Sequence, residues 1–116
     1  MNYLEFVNNL KINLRNDLKF NAIKFFTKNN VSFWVWVIVI EHYYKDNKDC
    51  YIEDIINEIP KEYASRPTIF KFIDDAVAKK YFEKKQHHKD KRKYNLSPSL
   101  QTIREFEEWA KVFSGF

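Results

Sequence analysis

The sequence predicts a mainly α-helical domain, residues 1–116, that carries one small β-hairpin. Glycine occurs once and proline three times, so the chain lacks the turn residues that many-stranded folds need. Apolar residues recur at helical spacing over most of the chain. Near residues 81–96 this spacing gives way to two short strand-like runs around a charged stretch, which is typical of a hairpin. A chain of this length builds one core.

The first predicted helix covers residues 3–28. Its apolar stripe, at steps of three, four and seven, consists of Leu4, Val7, Leu14, Leu18 and Phe25. More apolar side chains widen this surface, namely Phe6, Leu10, Ile12, Phe20 and Phe26. One small domain rarely needs so much apolar helix surface, so we expect part of it to form an interface.

Residues 31–45 form the second predicted helix. Their Val, Ile, Phe and Trp content favours a strand, but the apolar residues do not alternate, so a buried helix is the better prediction. Asn29 and Asn30 interrupt the preceding pattern and are suitable caps. The apolar run 31–40 is half of the roughly twenty residues that a membrane span needs, so no membrane partner is expected.

Two short helices follow. The first is predicted from a complete i, i+3, i+4, i+7 pattern and a stop at Pro60, its apolar members being Ile52, Ile55, Ile56 and Ile59. The second covers residues 66–79, with Ser65 as N-cap and Pro67 in the first turn. Its apolar face consists of Ile69, Phe72, Ile73 and Ala76.

A hairpin and a last helix complete the chain. Residues 81–85 and 93–96 are the predicted strands, and residues 87–92 are the tip. Ser97 and Pro98 are expected to be the N-cap and first residue of a helix over 98–113. Its apolar stripe consists of Leu100, Ile103, Phe106, Ala110 and Phe113.

The positive charge is concentrated in one segment. Residues 79–93 hold eight cations and two anions, a net charge of +6, whereas the rest of the chain has twelve cations and fourteen anions. Such a segment is typical of a surface that binds a polyanion, and a solvated lysine-rich hairpin is the alternative.

Residues 51–97 therefore combine two short helices, a turn and a basic hairpin, which is a helix-turn-helix with a wing. The second helix of such a pair fits the DNA major groove, and the wing can lay cations on the backbone or in the minor groove. The predicted fold class is a winged helix-turn-helix flanked by helices 3–28, 31–45 and 98–113, of which we expect the first and the last to serve dimerisation.

Residues 65–84, SRPTIFKFIDDAVAKKYFEK, resemble without a gap the recognition helix and first wing strand of the multiple-antibiotic-resistance regulator (MarR-type) family. The segment YIEDIINEI at 51–59 is similar to the helix that precedes the recognition helix in that family. The segment DKR at 90–92 is similar to the Asp-x-Arg at the family's wing tip, and Leu96-Ser97 is similar to the Leu-Thr that opens its final helix. The resemblance is to a divergent or phage-borne member. The family usually has Gly where Lys80 stands, so this helix is expected to end without a left-handed cap.

The resemblance implies sequence-specific binding of double-stranded DNA by a homodimeric transcriptional regulator. It assigns base and phosphate contacts in the recognition helix to Arg66, Thr68 and Lys71. It places Arg92 in the minor groove, with Asp90 orienting it. The expected phosphate contacts are Lys84, Lys89, Lys91 and Lys93.

The resemblance also implies that the first and last helices intertwine in a homodimer. The expected interface residues are Leu4, Val7, Leu14, Phe106, Trp109, Phe113 and Phe116. A small-molecule ligand between these helices and the winged domain is a further expectation. The aromatic residues that line such a pocket, or else belong to the core, are Trp34, Trp36, Tyr43 and Tyr44.

Two other interpretations stay open. Residues 65–77 have no net charge, with two cations and two anions, as in a winged helix that serves as a protein–protein adaptor. A non-specific architectural or replication accessory protein would keep DNA binding without sequence preference.

No catalysis, cofactor or metal is expected. The chain has no glycine loop for phosphate and no nucleophile–base set. His87 and His88 should project to opposite sides of a strand, and neither they nor His42 belong to an evident cluster of ligands. Cys50 is alone, so we expect a partly buried, inert thiol in a reducing, cytoplasmic setting.

Overall fold

A computed structural model describes residues 2–16 and 19–114 of the protein, and the side chains of residues 2–15 and 19–112. It confirms the mainly helical fold with one antiparallel hairpin. The elements in chain order are α1 (Tyr3–Asn16), α2 (Asn21–Phe26), α3 (Asn30–Tyr44), α4 (Ile52–Glu58), α5 (Arg66–Ala78), β1 (Phe82–Gln86), β2 (Tyr94–Pro98) and α6 (Leu100–Ser114). Within the described ranges no helix has the length and apolar character to cross a membrane.

The core is built around α3, which contacts α2, α4, α5 and β2. Trp36 is buried and stacks on Phe26, with ring centroids 5.9 Å apart. Phe26 in turn stacks on Phe82 of the hairpin, at 4.8 Å. α3 shows no amphipathic pattern because its solvent side is apolar as well. Phe33, Trp34 and Val37 are 40%, 37% and 44% exposed, so the helix predicted to be buried is buried on one side only. Asn29 caps α3, because its Oδ1 accepts a hydrogen bond from the backbone N–H of Ser32 (2.9 Å).

The single helix predicted over 3–28 is wrong, because the structure has two helices there. α2 begins anew at Asn21, where the Glu105 carboxylate Oε1 accepts hydrogen bonds from the backbone N–H groups of Ala22 (2.9 Å) and Ile23 (3.2 Å). An anion at a helix N-terminus satisfies free N–H donors and interacts favourably with the helix dipole. Leu18, a member of the predicted stripe, lies outside the described residues.

The helix-turn-helix has the predicted signals at its boundaries. α4 ends at Glu58, two residues before Pro60, and it buries Ile52 and Ile55. Ser65 is the N-cap of α5, because its Oγ accepts a hydrogen bond from the Thr68 N–H (3.4 Å), and Pro67 lies in the first turn. The N-terminal boundary of α5 is therefore fixed by local chemistry that the sequence shows.

The expectation that α5 ends without a left-handed cap is wrong. Lys80 has φ 65°, the left-handed region that usually selects Gly. The Tyr81 N–H donates to the Ala76 carbonyl and the Lys80 N–H to the Val77 carbonyl, both at 3.0 Å, which is the Schellman pattern. The helix thus ends in left-handed geometry with lysine at a position where glycine is usual.

The hairpin is longer than predicted at its second strand, and α6 begins later. Pro98 pairs with Phe82 in the ladder, so Ser97 and Pro98 belong to β2 and do not start the helix. Ser99 is the residue at the start of α6 whose Oγ accepts a hydrogen bond from the Thr102 N–H (3.2 Å). Ser99 N–H also donates to the Tyr81 carbonyl (2.9 Å), which connects the helix start to the wing.

Candidate nucleic-acid interface

α5 is amphipathic, with one face in the core and the other in solvent. Ile69, Phe72, Ile73 and Ala76 are buried, whereas Arg66, Thr68 and Lys71 are exposed. The predicted recognition residues thus lie on the solvent side of the helix. Asp74 and Asp75 are also exposed, so α5 itself carries little net positive charge.

Arg66 is engaged by its own chain. Both of its terminal guanidinium nitrogens donate to the Glu53 carboxylate of α4, one of them at 2.9 Å. Its guanidinium also lies 5.1 Å from the Phe70 ring centroid. The hydrogen bonds from Arg66 hold the pKa of the Glu53 carboxyl below its usual range. The sequence did not predict this pair, which connects the two helices of the helix-turn-helix. The Glu53 carboxylate neutralises the charge of Arg66, one of the predicted DNA contacts.

Lys28 joins the predicted recognition residues at the surface. It lines one groove with Thr68 and Lys71, although it precedes them by some forty residues in the chain. The groove also includes Asn30 at the start of α3. Sequence reasoning missed Lys28 because it was placed at the end of the first long helix, away from the winged domain.

The wing tip is organised by Asp90. Its Oδ1 accepts hydrogen bonds from the Arg92 backbone N–H (3.0 Å) and from Arg92 Nε (3.3 Å), the contact that the sequence predicted. These bonds lower the pKa of the Asp90 carboxyl, the backbone bond contributing most. The Arg92 side chain is 92% exposed, so the contact directs the guanidinium without burying it. Gln86 Nε2 donates to the Lys91 carbonyl (2.7 Å) and closes the tip.

His87 and His88 do not project to opposite sides, which corrects the sequence-based expectation. Their rings are stacked, with centroids 5.0 Å apart and planes 15° apart. Both follow the last residue of β1, so the alternation of a strand does not apply to them. His87 Nδ1 accepts hydrogen bonds from the backbone N–H groups of Lys89 (3.1 Å) and Asp90 (3.0 Å), so it shapes the tip.

The wing lysines fall into two groups. Lys84 lies over the Tyr94 ring (4.2 Å) and Lys93 over the Tyr51 ring (5.4 Å), both cation–π contacts that restrict the side chains. Lys89 and Lys91 are exposed at the tip. All four predicted phosphate contacts are therefore accessible on one hairpin.

The geometry of these elements is shared with solved structures. The DNA complex of MepR from S. aureus superposes with a TM-score of 0.61 at 15% identity, over 98% of this chain and 85% of that chain. A MarR protein from Peptoclostridium difficile gives 0.55 at 25% identity, over 96% and 67% of the two chains. A MepR mutant from a multidrug-resistant S. aureus isolate gives 0.57 at 15% identity, over 98% and 78%.

The chain has the MarR-type winged-helix fold. This confirms the resemblance and the fold class that the sequence predicted. Neither a protein-family model nor a curated protein sequence matches the chain.

Within the MarR-type fold, α1 exposes the predicted interface residues Leu4, Val7 and Leu14, which are 72%, 48% and 68% accessible. Phe106 and Trp109 are half-buried and meet the Trp36 ring at 5.7 and 5.3 Å, so they already pack on their own core. The side chain of Phe113 and all of Phe116 lie outside the described residues. The interface as a whole stays a prediction.

The remaining predicted residues divide between core and surface. Trp36 belongs to the core, whereas Trp34 is partly exposed against Tyr63. Tyr44 lines a cavity of about 380 Å³ with Phe106 and Ala110.

Cys50 is fully buried, which raises the pKa of its thiol to about 12, with the charge of Asp54 contributing next. The thiol is therefore protonated at neutral pH and lacks the thiolate that reactivity needs.

Proposed function

We propose that the chain is a sequence-specific, double-stranded-DNA-binding transcriptional regulator that acts as a homodimer. One observation carries the proposal: the exposed face of α5 lies beside a wing whose segment, residues 79–93, has a net charge of +6. MepR, which has the same fold, has been solved in complex with DNA. Exposed cations on a hairpin next to a solvent-facing helix are suited to a phosphate backbone on either side of a groove.

In this proposal α5 enters the major groove with Arg66, Thr68 and Lys71 toward the DNA. Arg66 must exchange its Glu53 partner for a base or phosphate. Since both side chains of this pair are more than half exposed, solvent screens their attraction and the exchange costs little. The pair would then favour sites that offer Arg66 a bidentate acceptor, such as guanine, over sites that offer none.

The wing provides most of the affinity. We propose that Arg92 enters the minor groove, because its side chain is exposed while its Nε is bonded to Asp90. Lys84, Lys89, Lys91 and Lys93 contact phosphates and release counterions, which makes binding strongly dependent on salt. Lys28, in the groove with Lys71, adds a phosphate contact beside α5.

Dimerisation uses the exposed apolar face of α1, which packs on α6 of its own chain along its other side. Two recognition helices related by a twofold axis read a pseudo-palindrome with half-sites about one helical turn apart. An apolar effector in the cavity at Tyr44 would lie between α3 and α6, and could shift this spacing. The protein is a regulator and not an enzyme in this account.

The protein–protein adaptor remains the second candidate, because one specific observation favours it. The Arg66–Glu53 pair neutralises a cation of α5, and Asp74 and Asp75 are exposed on the same helix. In the adaptor interpretation the wing cations are dispensable. An architectural role would keep them and lose sequence preference.

The test is DNA binding measured by fluorescence anisotropy at several salt concentrations. The variant Lys91→Ala/Arg92→Ala removes two wing cations, and Lys24→Ala/Arg104→Ala removes two exposed cations from α2 and α6 as a matched control. We expect the wing variant to lose roughly tenfold or more in affinity and about two units of the log–log salt slope. The control should change both far less. Equal effects in the two variants, or no binding by the unmodified chain at low salt, would refute the proposal.

A further inference from the structure

The end of α3 and the end of α4 bring together three side chains that the DNA interface does not use. Glu41 and His42 lie in the last turn of α3, and Glu58 is the last residue of α4. One potential ligand atom from each lies within 4.8 Å of the other two. No local sequence pattern indicates this cluster, because Glu58 is sixteen residues beyond His42 and only the packing of α4 on α3 joins them.

His42 is fixed by a hydrogen bond to the backbone that uses only one of its two ring nitrogens. Its Nδ1 donates a hydrogen bond to the Asp49 backbone carbonyl (2.8 Å), in the loop that folds back against α3. Nδ1 therefore carries a proton, and Nε2 is the ring nitrogen that can bind a metal. Histidines that bind metals are usually fixed in this way, with the second ring nitrogen donating to a carbonyl or carboxylate. The Asp49 carbonyl does not belong to the cluster of Glu41, His42 and Glu58, so this hydrogen bond is a feature of the site in addition to the cluster.

The two carboxylates also lack a compensating cation. Across residues 2–15 and 19–112 neither Glu41 nor Glu58 forms an ion pair within 4.0 Å. Their charges reach the neighbouring Cys50, where both raise the pKa of the thiol, while Lys45 acts weakly in the opposite direction. A single divalent cation would balance two carboxylates that have no ion-pair partner.

We propose that Glu41, His42 and Glu58 form a binding site for a divalent first-row transition-metal ion. One imidazole nitrogen and two carboxylate oxygens suit zinc and its neighbours better than Mg²⁺ or Ca²⁺, which take oxygen ligands alone. Glu41 and Glu58 are exposed, so water completes the coordination. The ion connects α3, the centre of the core, to the first helix of the helix-turn-helix, and so fixes α4 ahead of the turn that leads to Ser65.

The test is isothermal titration of Zn²⁺ into the full chain after chelation, with Mg²⁺ as the comparison ion. We expect one Zn²⁺ per chain and no saturable heat with Mg²⁺. Glu58→Gln and His42→Gln should each weaken Zn²⁺ binding at least tenfold. The matched controls are Glu62→Gln, an exposed carboxylate beyond Pro60, and His88→Gln, an exposed histidine on the wing, and both should keep the affinity within about twofold.

Glu41→Gln serves as a further variant, because His42→Gln also alters the bond to Asp49 and can loosen the loop. Co²⁺ substitution gives an independent readout, since loss of imidazole ligation changes the visible absorption of the bound ion. The proposal is overturned if the chain takes up no Zn²⁺ saturably, or if Glu58→Gln and Glu41→Gln leave the affinity unchanged. Loss of binding confined to His88→Gln would place the ion on the wing and also overturn it. None of these outcomes depends on DNA binding.

Discussion

Glu105 is the residue whose replacement tests the helical architecture most sharply. Its carboxylate, only 8% exposed, accepts hydrogen bonds through Oε1 from the backbone N–H groups of Ala22 and Ile23. Gln101 Nε2 donates to the other oxygen (2.8 Å). The change to alanine removes the acceptor and leaves two buried N–H groups at the start of α2 without a partner.

Hydrogen bonds to a charged acceptor contribute about 1.5–3 kcal/mol each to stability. Because the two N–H groups share one oxygen, we expect Glu105→Ala to lower the free energy of unfolding by about 3 kcal/mol for the pair. Glu105→Gln keeps an acceptor oxygen but loses the charge at the helix N-terminus, so its cost should be about 1 kcal/mol. For a domain of this size, 3 kcal/mol corresponds to a decrease in Tm of roughly 10 °C.

The assay is urea denaturation followed by circular dichroism, with Tm measured in parallel. Glu108→Ala is the control, because Glu108 lies on the same helix, is more than half exposed and pairs with Lys111 at the surface. It should change stability by less than about 0.5 kcal/mol. If Glu105→Ala were no more destabilising than Glu108→Ala, the carboxylate would not hold α2, and the division of residues 3–28 into two helices would lose its explanation.

Three further predictions follow from single contacts. Lys80→Gly should raise the free energy of unfolding, measured by urea denaturation, by about 0.5–1 kcal/mol, because glycine adopts φ 65° without the steric cost that lysine has there. A decrease in the free energy of unfolding would contradict the Schellman geometry. Cys50 should resist alkylation by iodoacetamide at pH 8 in the folded protein and react once the chain is unfolded, because burial raises the pKa of its thiol to about 12. Fast alkylation of the folded protein would contradict the burial of this thiol. Glu53→Gln should release Arg66 and raise the affinity for DNA roughly fivefold in anisotropy titrations, whereas Glu62→Gln, which changes the net charge equally, should have a smaller effect. Equal gains in the two variants would assign the increase to net charge alone.

The parts of the fold that local sequence determines were predictable. Four isoleucines at helical spacing and Pro60 define α4, and Ser65 with Pro67 defines the start of α5. α3 was predictable as a helix because its apolar residues do not alternate, although only one side of it is buried. The resemblance over residues 65–84 then correctly indicated that a helix, α5, is followed by the hairpin.

The errors occurred where distant residues or special backbone geometry decide the outcome. The break between α1 and α2 depends on Glu105, more than eighty residues away, which no local pattern reveals. The left-handed Lys80 contradicts the usual residue preference because the hydrogen bonds from Tyr81 and Lys80 itself hold the turn. The stacked His87 and His88 depended on where β1 ends, a boundary that propensity defines poorly.

For the candidate interface, sequence indicated which cations are present but not how they are paired. The exposed positions of Lys71, Lys89 and Lys91 follow from helix and hairpin periodicity. The neutralisation of Arg66 by Glu53 does not, since it requires the crossing of α4 and α5. The same limit applies to Lys28, which the fold alone brings beside α5.

Selection of binding sites from a random duplex library tests the central claim most directly, because it separates all three functional interpretations. A sequence-specific homodimeric regulator should enrich a pseudo-palindrome whose half-sites are about 10 base pairs apart, with enriched duplexes binding at least a thousandfold more tightly than random DNA. Binding without enrichment would instead indicate an architectural protein. Absence of binding at low salt would contradict the account and leave the protein–protein adaptor.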